Sequence, residues 1–246
     1  MMHVDALAIS AHPDDVELMC AGTLIKLKRL GYKTGVVSLT AAELGTRGTP
    51  EIRKQENEKA ARIMGLTVNR ILDIPDGKVQ VNDANKLKIV SQIREHRPQI
   101  IFTPYWQTRH PDHSNSSHLV REAAFLAGLK KIDTGQAPHR PDKIIYCMEM
   151  YDFIPSFIVD VSETFEDKIK AMQAYESQFH NDSKEHQDDG ATYISTPEFL
   201  QTIITNGQYW GHKIGAKYGE PFLVREPMAI DDPVKHFSGH RFAGLL

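Results

Sequence analysis

Only two cysteines occur in 246 residues, too few for a disulfide framework, so the fold must be held by its core. Cys20 falls in an expected helix and Cys147 in an expected strand. Both read as small buried hydrophobes in a reducing, cytoplasmic setting. No apolar stretch nears the roughly 18 residues that a membrane span needs. No basic segment leads into a long apolar run, so no secretory signal is expected. Neither charge sign dominates: 29 lysines and arginines stand against 32 acids, a net −3. That balance gives no reason to expect nucleic acid or a membrane surface as partner.

What the chain does have is alternation. Strand-like segments at residues 4–11, 34–40, 70–74 and 99–103 are followed by helix-like segments at 16–30, 51–64, 84–96 and 114–129. Further strands are expected at 143–150 and 157–161, with helices at 165–179 and 197–218 and a polar loop at 180–196 between them. Such alternation predicts an α/β fold, a Rossmann-like three-layer sandwich with a mostly parallel sheet. We read one domain over residues 1–246, with a tail after about residue 221 that could wrap it or mediate assembly. In parallel sheets of this kind ligands bind outside the carboxyl ends of the strands. The loops after strands one, two and four are therefore the places to look.

The first of these loops lacks the glycines of a dinucleotide fold. It carries His12-Pro13-Asp14-Asp15 instead, and two carboxylates there would repel a phosphate. A divalent metal accounts for them. His12 and Asp15, three residues apart at the start of a helix, can face one point, and imidazole with carboxylate suits zinc and related metals. Asp14 then points elsewhere, free to act as a general base on an activated water. The alternative is that one of these acids only caps the helix.

The loop after the fourth strand reads "YWQTRHPDHSNSSH". His110 and His113 repeat the spacing of three, and Pro111 suits a first helical turn. Alone the pair is weak evidence in a chain with 12 histidines. Position strengthens it, because the first and fourth strands of a doubly wound sheet lie close. A catalytic zinc keeps three protein ligands and an open position, which His12, Asp15 and His113 would supply. His110 would then be free to hold an oxyanion in its protonated form or to protonate a leaving amine, with Asp112 orienting its ring. Exchanging His110 and His113 between these roles is the alternative.

"AHPDD", "ELGTRG" and "RHPDH", in this order and each after a strand, resemble the zinc-dependent N-acetylglucosaminyl deacetylases of the PIG-L/LmbE-like family. The likeness spans roughly residues 4–225 and includes "YESQF" and "WGHKIGAKYGEPF". The branch it most resembles removes acetyl from N-acetylglucosaminyl malate in bacillithiol biosynthesis. The resemblance implies Zn²⁺, or Fe²⁺ in the cell, on His12, Asp15 and His113, with Asp14 as base and His110 backed by Asp112 at the tetrahedral intermediate. It also implies a homo-oligomer, to which Phe153, Phe157 and Trp210 could contribute, and a mobile tyrosine that assists the oxyanion. The position two before His110 is Thr108 and Tyr193 lies in the polar loop, so no residue is assigned to that role.

For an anionic amino-sugar substrate, the planar fork of arginine suits a carboxylate. Arg47, Arg53, Arg109 and Arg140 are the candidates, with Glu43 for a sugar hydroxyl and Trp106 to stack on a sugar face. His212 and Glu220 could reach the site or fix the last helix. Two other classes compete. An iron(II) oxygenase also uses two histidines and a carboxylate but needs no spare base such as Asp14. A binding module without chemistry would need neither Asp14 nor His110. Among hydrolases, a chitooligosaccharide or glycolipid deacetylase is the nearest alternative.

Overall fold

The computed structural model describes residues 2–180 and 190–238. Seven strands form one sheet: β1 (Ala6–Ser10), β2 (Thr34–Ser38), β3 (Val68–Ile71), β4 (Ile100–Pro104), β5 (Lys143–Cys147), β6 (Phe157–Asp160) and β7 (Gly219–Leu223), in the spatial order β3-β2-β1-β4-β5-β7-β6. The first five run parallel, and β7 is antiparallel to both its neighbours. This is the mostly parallel α/β sheet that the alternation predicts.

Successive residues of β1 point to opposite faces, and both faces are covered. Leu7 and Ile9 pack with Ile89, Val90, Ile93, Leu119 and Val120, which lie on α4 (Asp83–His96) and α5 (Pro111–Ala127). Ala6 and Ala8 pack on the other face with Val16, Leu24, Met64 and Ala171. These belong to α1 (Asp15–Met19), α2 (Ala21–Arg29), α3 (Pro50–Met64) and α6 (Phe165–Gln173). Strand order reverses at β1, which has β2 on one side and β4 on the other. That is where a parallel sheet opens a crevice for a ligand.

The expected helix at 16–30 is two helices, broken at Cys20 (φ −149°, ψ 16°). The break has a chemical cause. The Glu220 carboxylate accepts from the Gly22 and Thr23 backbone N–H groups at 3.1 and 2.7 Å and from the Thr23 hydroxyl at 2.6 Å, satisfying the free donors of a new helix start. The helix expected at 197–218 ends early, as α7 (Pro197–His212). "GEPFL" becomes β7, its glycine and proline disguising a strand. The chain after 221 thus begins inside the sheet, and a short α8 (Pro233–Phe237) follows. The helix at 165–179 stops at Gln173, and most of the polar loop lies outside the described residues. Phe157 is half-buried and stacks on Phe222 with centroids 5.4 Å apart. Among the described residues no helix is long and apolar enough to cross a membrane.

Glu220 is therefore a structural acid. Its charge is balanced by Lys168, whose ammonium donates to it at 2.6 Å and to the Leu18 carbonyl at 2.8 Å. Both side chains are buried. Removing one member of a buried pair leaves the other charge uncompensated. Lys168→Met should therefore cost about 3–5 kcal/mol in urea unfolding. A loss below about 1 kcal/mol would mean that the backbone donors alone hold Glu220.

Candidate active site

Two turns leave adjacent strand ends. After β1 the chain bends at Asp14, whose φ of 101° lies in the left-handed region. A non-glycine residue is held there only against strain. Arg53, in the first turn of α3, supplies the restraint, donating from Nη2 to the Pro13 carbonyl and, at 3.0 Å, to the Asp14 carboxylate. The bend lets two consecutive acids face different ways. Asp15 Oδ2 accepts from the His12 backbone N–H at 2.8 Å, closing the turn. After β4, His110 caps α5, its Nδ1 accepting from the Asp112 N–H at 3.2 Å. His113 follows in the first turn of that helix.

Because β1 and β4 are paired neighbours, the turns meet. His12 Nδ1 lies 3.1 Å from His113 Nε2. Asp15 places Oδ1 3.2 Å from that His113 nitrogen and Oδ2 3.7 Å from His12 Nδ1. Ligands about 2.0–2.1 Å from a tetrahedral zinc stand about 3.3 Å from one another, so this spacing suits such an ion. Two ring nitrogens aimed at each other with a carboxylate beside them are also a donor set that a shared cation would satisfy. The other nitrogens of these rings meet carboxylates: His12 Nε2 lies 2.9 Å from Asp76 Oδ1, and His113 Nδ1 2.9 Å from Glu149 Oε2. Carboxylates in such places fix the tautomer and orientation of a metal-binding histidine.

His12, His110 and His113 also form a metal-competent trio, as do His12, Asp76 and Asp112. In the first, His110 has one nitrogen committed to the helix cap. In the second, the carboxylates are held by backbone: Asp76 by Leu44 N–H at 3.0 Å, and Asp112 by Gly77 N–H at 2.7 Å. In the set His12, Asp15 and His113, Asp15 has one oxygen engaged by the His12 N–H and keeps the other towards His113.

The electrostatics agree. Burial alone would lower the pKa of His12, but hydrogen bonding to Asp112, Asp15 and Asp76 outweighs it and pushes the ring up to about 12. For His113, burial is again outweighed, here by Asp15 and Glu149, and the ring rises to about 10. The pocket is one that favours positive charge. Asp15 goes the other way, well below the carboxylate range, because the two histidines overcome the effect of burial. Asp14 is pushed up to about 6 by burial, against the pull of Arg53. Two adjacent carboxylates thus have separated proton affinities, the arrangement that divides a ligand from a base.

Several expectations change here. Asp112 does not orient His110 through its carboxylate, which binds the Gly77 and Val79 N–H groups and lies 3.7 Å from His12 Nε2. It braces the 76–79 turn that carries Asp76. Nδ1 of His110 accepts from the helix N–H, and burial and the other two histidines lower its pKa; both favour the neutral ring, whose donor is Nε2–H. Arg53 is buried and serves Asp14. Arg47 is tied to the Ser177 and Gly190 carbonyls, each at 2.7 Å. Arg140 lies over Phe125, 4.5 Å from its centroid, near the far end of α5. Of the four arginines, Arg109 is the one left exposed beside His110, where it can meet a substrate. Glu43 accepts from the Asp76 N–H at 2.8 Å, and Trp106 faces Tyr146 and Arg225. His212 ends α7.

Asp76 and Glu149 are the residues that sequence reasoning missed. Asp76 sits in a Pro-Asp-Gly turn that reads as plain turn chemistry, and Glu149 in a short run after β5. Each is an acid just past a parallel strand, a signal present in the sequence.

The sequence pattern of the PIG-L family, described as GlcNAc-PI de-N-acetylase, matches residues 7–124. The chain is 31% identical over 229 residues to the diacetylchitobiose deacetylase of Thermococcus kodakarensis, covering 87% of this chain and 80% of that protein. It is 27% identical to the probable N-acetyl-alpha-D-glucosaminyl L-malate deacetylase 2 of Bacillus anthracis, covering 79% and 91%. Among solved structures, a conserved protein from Thermus thermophilus superposes with a TM-score of 0.84 at 35% identity, covering 92% and 97%.

Carboxylates behind metal-binding histidines typically carry 10- to 100-fold of the affinity. Asp76→Asn and Glu149→Gln should each weaken zinc binding by about that factor in calorimetric titration of metal-free protein. Unchanged affinity in both would place the ion elsewhere.

Proposed function

The chain belongs to the PIG-L family of deacetylases, and on that premise we propose that it is a zinc-dependent hydrolase of the acetamide of an N-acetylglucosaminyl conjugate. The observation that carries this reading is the convergence of His12, Asp15 and His113 with a fourth group, Asp14, held beside them by Arg53. A divalent ion on those three residues would supply Lewis acidity, polarising the acetyl carbonyl and easing deprotonation of water. Fe²⁺ would serve the same donors in the cell. Asp14, with its pKa near 6, is ionised at neutral pH yet basic enough to take the proton of the attacking water. His110 donates from Nε2 to the oxygen on which negative charge develops. The proton held by Asp14 then passes to the sugar nitrogen as the carbon–nitrogen bond breaks, and acetate and the free amine leave. An oxygenase would have no use for this restrained second acid.

Two substrates compete. N-acetylglucosaminyl malate fits the resemblance and needs cationic contacts, for which Arg109 is the candidate. Diacetylchitobiose, the substrate named for the Thermococcus relative, is favoured by the withdrawal of Arg53, Arg47 and Arg140 into contacts of their own.

Asp14→Asn should lower kcat by about 10²- to 10⁴-fold while bound metal stays stoichiometric. Undiminished cleavage would remove Asp14 from the mechanism. Release of free amine from N-acetylglucosaminyl malate, diacetylchitobiose and N-acetylglucosamine, by wild type and Arg109→Ala, addresses the substrate. With malate as the group recognised, the variant should lose about tenfold or more on that compound alone, the worth of one charge-assisted contact. Equal losses on all three favour the neutral sugar, and feeble turnover of all three overturns both assignments.

A further inference from the structure

Another cavity lies where residues of α5 meet Tyr146 of β5. Its volume is about 160 Å³, and it is lined by Trp106, Ser117, His118, Arg121, Tyr146 and Arg225. Two features make it unlike an ordinary surface dimple. The first is an excess of positive charge. The acids nearest these arginines are engaged with lysines: Glu226 with Lys143 at 3.5 Å, and Glu122 with Lys86 at 3.5 Å. Arg121 reaches Glu122 only at 4.0 Å, on an open face. The second is an aromatic wall, Trp106 and Tyr146, on which one of the arginines lies.

The walls are stiff. Arg225 lies over the Trp106 ring, 5.2 Å from its centroid, and Trp106 meets Tyr146 edge to face at 4.8 Å. A guanidinium laid on an aromatic face has several N–H groups in its plane; Arg225 gives one to Tyr146 and has others for a planar or tetrahedral oxyanion. Tyr146 is paired in the sheet between Thr103 and Leu223, so its position is set by backbone. The volume is large enough for several waters or one small anion.

We propose that this cavity is a binding site for a small oxyanion, a carboxylate or phosphate group clasped by Arg121 and Arg225. Ser117 lies one helical turn beyond His113 on α5, and Trp106 begins the loop that leads to His110. The site therefore borders the candidate active site without sharing any of its residues.

Binding is measured by calorimetry on the intact protein, with inorganic phosphate and with citrate as separate probes against chloride at equal ionic strength. Saturable binding of one probe or both is expected, phosphate alone pointing to a phosphoester and citrate alone to an organic acid. Arg121→Ala and Arg225→Ala should each weaken it about tenfold or more. His110→Ala should bind as wild type does. No saturable binding overturns the proposal, as does binding that survives in the arginine variants and disappears in His110→Ala, which would place the anion at the other site.

Discussion

The pairing of β1 with β4 is the constraint from which the rest follows. Ala6, Leu7 and Ala8 of β1 stand opposite Ile100, Ile101 and Phe102 of β4, with β1 buried throughout. Parallel strands in register end at the same height, so the loops that leave them start side by side. The loops, residues 11–14 and 105–110, each lead into a helix, with Asp15 and His113 in the first turns. Two residues about one hundred apart in sequence are thereby brought within 3.1 Å, without the long loops that would make such a contact adjustable. The candidate centre inherits the rigidity of the sheet.

Around that pairing the acids divide their labour by what holds their oxygens. Asp15 faces both imidazoles, Asp76 and Glu149 stand behind them, Asp112 fixes a turn and Asp14 is gripped by Arg53. Five carboxylates gathered in so small a buried volume repel one another unless positive charge is present. Arg53 and the histidine rings supply some of it. A divalent ion would supply more, and the depressed Asp15 and elevated His12 and His113 follow from the close contacts between these rings and carboxylates.

The sheet and the helices that cover it were legible because periodicity and strand order are local properties with global consequences. The meeting of His12, Asp15 and His113 was legible for the same reason: spacing places side chains on a turn, and topology places the turns. Side-chain partners were not. Arg53 reads as a loop-side cation, yet it heads the buried stripe Arg53, Asn57, Ala60 and Met64 of α3, so helical spacing could have turned it inward. Arg140 is one residue in a long irregular connection whose path no pattern fixes. Glu220 sits in a strand hidden by a glycine and a proline, and its role as cap depends on a helix break at Cys20 that the apolar pattern does not announce.

The left-handed backbone at Asp14 has a consequence for how this chain can change. Glycine would relax that bend, and asparagine tolerates it better than most residues. A lineage or a laboratory selection that rewards heat tolerance alone would drift toward those replacements, since the tension there is worth on the order of 1–3 kcal/mol. An aspartate that persists at such a position marks a compromise between durability and turnover, located at a single peptide unit.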